Sequence, residues 1–230
     1  MKLHRFIGDF DIRKGGAILL PEDFTDQIRS VLRLRPNDII ILSDGHGLEG
    51  RARIASLGKN GAIVEILDVS LGDRGLGRKV ILFASIIKKE NFELVVQKAV
   101  ECGVEKIVPI ISDRTVKLGL NMERLGKIVR EAAEQSGRTI LPEVSNPVSF
   151  SDALDIAEGK IILFHLGGDP FIPASGEDGP VSVFIGPEGG FTEKEAFLAR
   201  NRGAEITSLG NLVLRAETAA IVASYISRYV

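Results

Sequence analysis

The sequence contains few of the residues that build disulfides and metal centres. Cys102 is its single cysteine, and its three histidines, His4, His46 and His165, are scattered along 230 residues. One cysteine excludes an intramolecular disulfide and a cysteine-based zinc or iron–sulfur site. The separation of the histidines disfavours a histidine-rich metal centre. We therefore expect a protein that works without a metal ion.

Long apolar runs and a charge excess are lacking as well. No run approaches the roughly 18 apolar residues that a membrane-spanning helix requires. Asp9 and Asp11 interrupt the N-terminal segment, which lacks the apolar core of a signal peptide. Lys and Arg number 29 against 31 Asp and Glu, so net charge indicates neither a nucleic acid nor a membrane as partner. Because 44% of the residues are hydrophobic, wholesale disorder is excluded. We expect a folded cytoplasmic protein with no membrane partner.

The chain divides into two parts that differ in the spacing of their apolar residues. Residues 1–70 contain short predicted strands, two of them joined by the Lys59-Asn60-Gly61 turn. Thr25 is predicted to cap a short helix whose apolar face includes Val31. Five or more such strands favour a compact barrel. Residues 71–78 contain three glycines and no apolar period, which favours a linker.

Residues 79–230 alternate predicted strands with predicted helices. Apolar runs predict strands at 79–86, 106–111, 160–166, 181–186 and 204–210. Helical spacing, with glycine after several helices, predicts helices at 90–103, 121–137, 192–203 and 216–230. This alternation is typical of the α/β class, with a largely parallel sheet flanked by helices.

Three glycine-bearing loops follow predicted strands of the second part, where an open α/β sheet binds its ligands. They lie at 165–168, 186–190 and 209–215. Glycine lets the backbone approach a ligand, although a tight turn that requires positive φ has the same composition. Glu188 would repel a polyphosphate, and neither a P-loop nor a Rossmann signature occurs. The leucines of the third loop would suit an uncharged heteroaromatic ring such as adenine.

Six sequence strings, spread over nearly the whole chain, point to a known family. In order they are VLRLRPND, SDGHG, QKAVECGV, REAAEQSGR, GPEGGFTEKE and LGNLVLRAETAA. Together they resemble the ribosomal RNA uridine-N3 methyltransferases of the RsmE family, which belong to the SPOUT class of S-adenosylmethionine enzymes. Cys102 stands where the family pattern has leucine, a departure that concerns the core rather than catalysis.

The resemblance implies a fold and an assembly. It implies a PUA-like β-barrel over residues 1–70, a linker at 71–78, and a SPOUT domain over 79–230 with a trefoil knot at its C-terminal end. It also implies a homodimer formed through the knot region. The last predicted helix carries a stripe of small residues that would allow close packing against a second copy or within one chain. The stripe consists of Ala216, Ala219, Ala220 and Ala223.

The resemblance further implies S-adenosylmethionine as cofactor and N3 of a uridine in small-subunit (16S) ribosomal RNA as target. Arg215 matches the arginine of the family's LRxETA motif and is the candidate to stabilise negative charge on uridine O2 and O4. The alternative for Arg215 is an ion pair with Glu188 or Glu217 that only braces the loop. Glu217 is a candidate general base, or a carboxylate that the first helical turn favours electrostatically. The candidate cofactor-binding residues are Leu163, His165, Ile185, Gly186, Gly190, Leu209, Gly210, Leu212, Leu214 and Ala219.

A target uridine must leave its stack to reach such a pocket, so basic side chains are expected to bind RNA phosphates. The candidates are Arg5, Arg33, Arg35, Lys88, Arg114 and Arg138, and solvated surface is the alternative for each. Three other interpretations remain open. They are a knotted methyltransferase that acts on another target, such as a ribose 2′-hydroxyl of transfer RNA, a non-catalytic RNA-binding protein of the same fold, and a nucleotide-binding enzyme.

Overall fold

A computed structural model describes most of the chain, and its contacts group the residues into two compact units. The described residues are 3–58, 61–72, 77–116, 119–172 and 179–229. One unit comprises residues 1–75 and 133–141, and the other comprises residues 76–132 and 142–230. The sequence-based division at residues 70 and 79 did not anticipate that residues 133–141 belong to the first unit. Within the predicted linker, Leu71 ends a strand and residues 73–76 lie outside the described residues.

The first unit is a five-stranded sheet around its own core. Its strands are β1 (Arg5–Ile7), β2 (Ala17–Leu20), β3 (Ile39–Ser43), β4 (Leu48–Gly58) and β5 (Gly61–Leu71), in the order β1-β3-β4-β5-β2. The β1–β3 pair is parallel and the other pairs are antiparallel. On β4, buried Ala52 and Ile54 alternate with exposed Arg51 and Arg53, because successive side chains of a strand point to opposite faces. The residues 59 and 60 of the predicted turn lie outside the described part of the chain.

The short helix of the first unit begins earlier than predicted. Helix α1 (Glu22–Asp26) has Pro21 at its N-cap and is followed by a π-helical turn, Gln27–Val31. The prediction that Thr25 caps the helix was wrong: its buried hydroxyl donates to the Pro21 carbonyl and accepts from the Ala62 amide, 2.9 Å away on β5. Val31 is 72% exposed and is not part of the buried face. The Thr25 hydroxyl bonds to a strand that is distant in sequence, and no local sequence pattern predicts such a contact.

The second unit is a parallel sheet with helices between its strands. Its strands are β6 (Val80–Ser85), β7 (Lys106–Ile111), β8 (Glu143–Val144), β9 (Val148–Ser149), β10 (Lys160–Pro170), β11 (Val181–Ile185) and β12 (Glu205–Ser208). Its helices are α2 (Lys89–Glu101), α3 (Met122–Ser136), α4 (Phe150–Asp155), α5 (Glu193–Asn201) and α6 (Ala216–Tyr229), although α3 residues from Ala133 onward are grouped with the first unit. The order is β12-β10-β11-β6-β7-β8, with β9 also on β7, and every described pair is parallel. The predicted α/β class with a parallel sheet is confirmed.

The two central strands explain why apolar runs predicted this sheet so well. All residues of β6 and β11 are buried, as expected for parallel strands covered on both faces. Between them, the rings of Phe83 and Phe184 stack with their centroids 4.4 Å apart. Helix α6 packs on α2 and on these two strands. The predicted small-residue stripe is used in this packing, since Ala216, Ala220 and Ala223 are buried within the chain itself.

Strand β10 differs from its prediction. The segment 165–168, which was predicted to be a loop, lies inside the strand, and the pairing with β12 shifts between Phe164 and Asp169. A Cβ at Gly168 would lie 2.7 Å from the Thr207 backbone, so glycine is required for the two strands to approach. The glycine there serves strand pairing rather than a loop.

Residues 133–141 are hydrogen-bonded into the first unit. A side-chain oxygen of Glu134 accepts from the Ile7 amide at 2.8 Å. The Leu141 amide donates to the Gly45 carbonyl, and the Gly47 amide donates to the Thr139 carbonyl. These backbone groups would otherwise be unpaired at the edge of the first unit, which explains why the segment belongs there.

Candidate functional site

A cavity of about 1010 Å³ opens at the carboxyl ends of the parallel strands of the second unit. It is lined mainly by residues 86–88 after β6, 185–190 after β11 and 208–217 after β12, with 164–166 from β10. The chain leaves β6 toward β7 on one side and later returns to place β11 on the other side. Such a switch point is where open α/β sheets bind ligands. The cavity is therefore the candidate site of this protein.

The predicted cofactor-binding residues meet in this cavity, with one exception. Those that line it are His165, Ile185, Gly186, Gly190, Leu209, Gly210, Leu212, Leu214 and Ala219. Leu163 does not line it, because it is fully buried in the sheet between Phe184 of β11 and Ile206 of β12. Direct contact between Leu163 and a cofactor therefore stays a prediction.

Glycines of the site serve both of the roles that the sequence left open. Gly190 and Gly210 have φ values of +68° and +120°, so their turns favour glycine. A Cβ at either position would meet no atom within 4 Å, which means that both backbones face open space. A Cβ at Gly186 would lie 3.1 Å from the Phe191 amide nitrogen, so Gly186 allows the 186–190 turn to close.

Exposed apolar side chains surround the cavity. Leu212 is 80% exposed, Val213 77%, Leu166 57% and Val116 91%. A cluster of large exposed apolar side chains around a concave site marks a binding surface rather than an ordinary protein exterior. The surface suits a ligand with an apolar or aromatic part.

Arg215 stands at the junction between the 208–215 loop and α6. Its side chain is exposed and lines the cavity, and its carbonyl accepts the first bond of the helix, from the Ala219 amide at 2.8 Å. Among the described residues it forms no ion pair with Glu188 or Glu217, so the structure does not support the alternative that Arg215 braces the loop through such a pair. Glu217 also lines the cavity, 8% exposed, in the first turn of α6.

His165 lines the cavity from β10 and is half-buried. Its Nε2 is 3.8 Å from an Oε of Glu193, a residue whose side chain is 91% exposed. This distance is too long for a hydrogen bond and gives at most a weak, solvent-screened attraction. The ring is therefore free to contact a ligand in the cavity.

Two of the predicted RNA-binding residues belong to the same cavity. Lys88 and Arg114 line it, both with exposed side chains, and the Arg114 guanidinium donates to the Gly189 carbonyl. Sequence reasoning missed Asn91 and Val116, which also line the cavity. The rule that carboxyl ends of parallel strands meet would have indicated both, since they follow β6 and β7.

The remaining predicted RNA-binding residues lie in the first unit, and only two of them are exposed. Arg33 and Arg35 have exposed side chains and no ion pair within the described segments. Arg5 instead pairs with Glu49 at 2.7 Å, and its side chain is only 16% exposed. Arg138 is half-buried and its Nε donates to the Ile140 carbonyl. The guanidinium groups of both arginines therefore already have partners inside the first unit. The sequence-based prediction had expected both to be available for RNA phosphates.

No group of three or more His, Cys, Asp or Glu able to hold a metal ion occurs in the described ranges. None of the helices in that part of the chain is long and apolar enough to cross a membrane.

Comparisons with known proteins give matches over nearly the whole chain. One family model, described as an RNA methyltransferase domain, matches residues 75–227, and another, described as an RNA methyltransferase PUA domain, matches residues 28–67. The ribosomal RNA small subunit methyltransferase E of Rickettsia conorii is 32% identical over 97% of this chain and 94% of its own. The protein of the same name from Synechocystis is 33% identical over 85% of this chain and 67% of its own.

Solved structures agree with these matches. The ribosomal RNA small subunit methyltransferase E of Neisseria gonorrhoeae, bound to S-adenosylmethionine, superposes with a TM-score of 0.90. It is 32% identical, and the alignment covers 97% of this chain and 95% of that one. A Legionella pneumophila protein in complex with the same cofactor gives a TM-score of 0.88 at 30% identity, covering 99% and 97% of the two chains.

Proposed function

Because the chain belongs to the ribosomal RNA small subunit methyltransferase E family, we propose that it methylates N3 of a uridine in small-subunit ribosomal RNA, with S-adenosylmethionine as methyl donor. The observation that carries the proposal is the cavity itself. Its walls come from the GPEGG and LRAETA segments, and exposed apolar side chains surround it. It is also lined by the Arg215 guanidinium, which forms no ion pair with another described residue.

The residues of the cavity fit such a cofactor. Open space beside Gly190 and Gly210 leaves their backbone groups accessible, and Leu212 and Leu214 offer an apolar surface for an adenine ring. A volume of about 1010 Å³ is at the upper end of the range for small-molecule sites, roughly 300–1,000 Å³, and leaves room for a flipped-out base beside the cofactor. When bound, S-adenosylmethionine supplies a sulfonium methyl group, and the N3–carbon bond forms as the carbon–sulfur bond breaks.

Uridine N3 becomes nucleophilic only when it loses its proton, and the resulting negative charge spreads onto O2 and O4. We assign Arg215 to these oxygens, because a preorganised cation at a developing negative charge lowers the barrier. Its freedom from Glu188 and Glu217 supports this assignment, since a guanidinium neutralised by a carboxylate would stabilise an anion less. The neighbouring Glu217 carboxylate is our candidate to receive the N3 proton, with release to water as the alternative.

RNA binding extends the proposal to the basic residues. Lys88 and Arg114 would bind phosphates flanking the flipped uridine, and Arg33 and Arg35 would bind phosphates at the first unit. Each such contact releases counterions, so affinity for RNA is expected to fall as salt increases.

Assembly and location complete the proposal. We infer a C-terminal trefoil knot, a homodimer and a cytoplasmic location. In support of the dimer, helix α6 carries exposed apolar and aromatic side chains at Val222, Tyr225 and Tyr229. Sedimentation equilibrium checks the dimer, and a monomer at micromolar concentration would exclude it.

The decisive experiment identifies the methylated atom. Purified protein is incubated with labelled S-adenosylmethionine and with small-subunit ribosomal RNA, either transcribed in vitro or assembled into subunits, and the RNA is digested for nucleoside mass spectrometry. The proposal expects 3-methyluridine. A ribose-methylated nucleoside would indicate another target, and RNA retention without methyl incorporation would indicate a non-catalytic protein. Calorimetry with S-adenosylhomocysteine and with ATP should give heat only for the former, whereas heat from ATP alone would favour a nucleotide-binding enzyme.

A further inference from the structure

The loop that carries Arg114 is a tight turn at the rim of the cavity. It follows β7 and spans Ser112 to Thr115, and the Thr115 amide donates to the Ser112 carbonyl at 2.9 Å. Asp113 and Arg114 are its central residues. The Arg114 side chain is exposed, yet it reaches across to the Gly189 carbonyl in the turn after β11.

One side of this turn is held by a chain of hydroxyl groups. The Oγ of buried Ser85 on β6 lies 3.1 Å from the Oγ of Ser112, which is also buried. The Ser112 Oγ in turn lies 2.9 Å from Thr115 Oγ1, which accepts from the Ser112 amide at 3.0 Å. These bonds anchor the two ends of the turn to the sheet.

The other side is bonded to the start of α5 by the Glu195 carboxylate and by the Thr192 hydroxyl, whose Oγ1 lies 3.2 Å from Asp113 Oδ2. The Glu195 side chain is buried, with only 5% of the residue exposed. One oxygen accepts from the Asp113 amide at 2.9 Å, and the other accepts from the Thr192 amide at 2.8 Å. Thr192 is the N-cap of α5, so this second bond is half of a capping box. A buried carboxylate requires such donors, and here one of them comes from a loop 82 residues away in sequence.

We propose that Glu195 is a positioning residue that holds the Ser112–Thr115 turn against the glycine turn and so fixes the Arg114 guanidinium at the cavity mouth, where it binds an RNA phosphate. The inference rests on the proposed function for the identity of the ligand. An arginine on a free loop loses conformational freedom of both loop and side chain when it binds, and a tethered turn has already lost part of that freedom. Glu195 therefore acts on RNA affinity through Arg114, without contact to substrate or cofactor.

The variant Glu195→Gln isolates the tether from the helix cap. Glutamine also serves at this position of a capping box, because its single carbonyl oxygen can accept from the Thr192 amide. The carbonyl is favoured on this side because Glu195 Oε2 also accepts from the Thr192 hydroxyl at 3.0 Å. The NH₂ group then faces the Asp113 amide, and two donors cannot bond to each other. The substitution keeps the shape of the side chain and the cap of α5 but removes the bond to the turn.

The experiment is a double-mutant cycle of Glu195→Gln and Arg114→Ala, with Ser149→Ala as matched control. Ser149 caps α4 by accepting from the Asp152 amide and does not line the cavity, so it tests the effect of a lost helix cap alone. KM for in-vitro transcribed small-subunit ribosomal RNA is measured at several salt concentrations. Each cycle variant should raise KM about tenfold, as expected for a charge-assisted hydrogen bond, with kcat changed by less than about twofold. Each should also reduce the slope of log affinity against log salt by about 0.7 to 0.9.

The double variant should resemble Arg114→Ala, because Glu195 then has nothing left to position. Independent effects that multiply, or an unchanged salt slope in Glu195→Gln, would overturn the proposal. So would a Ser149→Ala variant that raises KM as much, since a generic loss of stability would then explain the result.

Two measurements that need no catalysis separate this inference from the proposed function. Hydrogen exchange of the Asp113 amide should accelerate in Glu195→Gln and stay unchanged in Arg114→Ala and Ser149→Ala. Binding of the same RNA without cofactor, followed by fluorescence anisotropy, should show the same cycle. If both hold while methyl transfer is absent in the unmodified protein, the positioning role stands and the proposed function fails. Unaltered Asp113 exchange in Glu195→Gln would refute the positioning role whatever the activity.

Discussion

Substitution of Arg215 by alanine tests the centre of the proposed mechanism. The guanidinium is exposed, forms no ion pair with the carboxylates of Glu188 or Glu217 in the described part of the chain, and lines the cavity. Its removal should therefore change the free energy of unfolding by no more than about 0.5 kcal/mol, as for other exposed positions. Loss of one group that stabilises a developing anion costs about 10²–10³ in kcat. We expect a variant that is folded, binds S-adenosylhomocysteine within a few-fold of the original affinity, and is nearly inactive.

The assay measures methyl incorporation into small-subunit ribosomal RNA under single-turnover conditions, so that product release does not hide the chemical step. Arg200→Ala is the matched control, because Arg200 lies exposed in the last turn of α5 and does not line the cavity. The rate of Arg215→Ala should recover partly at higher pH, since hydroxide then removes the N3 proton without help from the cation. Arg215→Lys, which keeps the charge but loses the planar fork, should be intermediate.

Turnover of Arg215→Ala within a few-fold of the unmodified protein would refute this role for Arg215. A large loss of S-adenosylhomocysteine affinity would also contradict it, because Arg215 would then hold the cofactor rather than the uracil anion. A fall in the melting temperature of Arg215→Ala that Arg200→Ala does not share would assign Arg215 a structural role.

Three further predictions concern other parts of the molecule. Gly168→Ala places a Cβ within 2.8 Å of the Thr207 backbone. It should lower the free energy of unfolding, measured by urea denaturation, by at least about 1–3 kcal/mol. An unchanged urea midpoint would contradict the strand pairing between β10 and β12. Arg5→Ala breaks the half-buried ion pair with Glu49 and should lower the free energy of unfolding by about 1–3 kcal/mol. The slope of log RNA affinity against log salt should stay the same. A reduced slope would show that Arg5 contacts an RNA phosphate. Burial raises the pKa of the Cys102 thiol, with a smaller contribution from a neighbouring carboxylate. Alkylation of Cys102 by iodoacetamide at pH 8 should therefore be slower than alkylation of free cysteine. Equal rates would contradict this expectation.

Much of the fold and of the site was accessible from local sequence patterns. Buried parallel strands are continuous apolar runs, so the strands at 80–85, 106–111 and 181–185 were predicted nearly to the residue. The very short β8 and β9 carry no comparable signal and were missed. The glycine and leucine motifs marked most of the cavity, because they follow strands whose carboxyl ends meet in a parallel sheet.

Other features depended on contacts between residues far apart in the chain. The sequence around Arg5 does not predict its ion pair with Glu49. The sequence around Leu163 does not predict that a strand pairs with it on each side. The bond from the Asp113 amide to Glu195 likewise joins two loops that local spacing treats as independent. Sequence alone thus determined the longer strands and helices and most of the residues that line the cavity, because hydrophobic periodicity and turn residues act locally. Tertiary structure decided which charged side chains remain free to bind a ligand, because that depends on the partners that folding brings beside them.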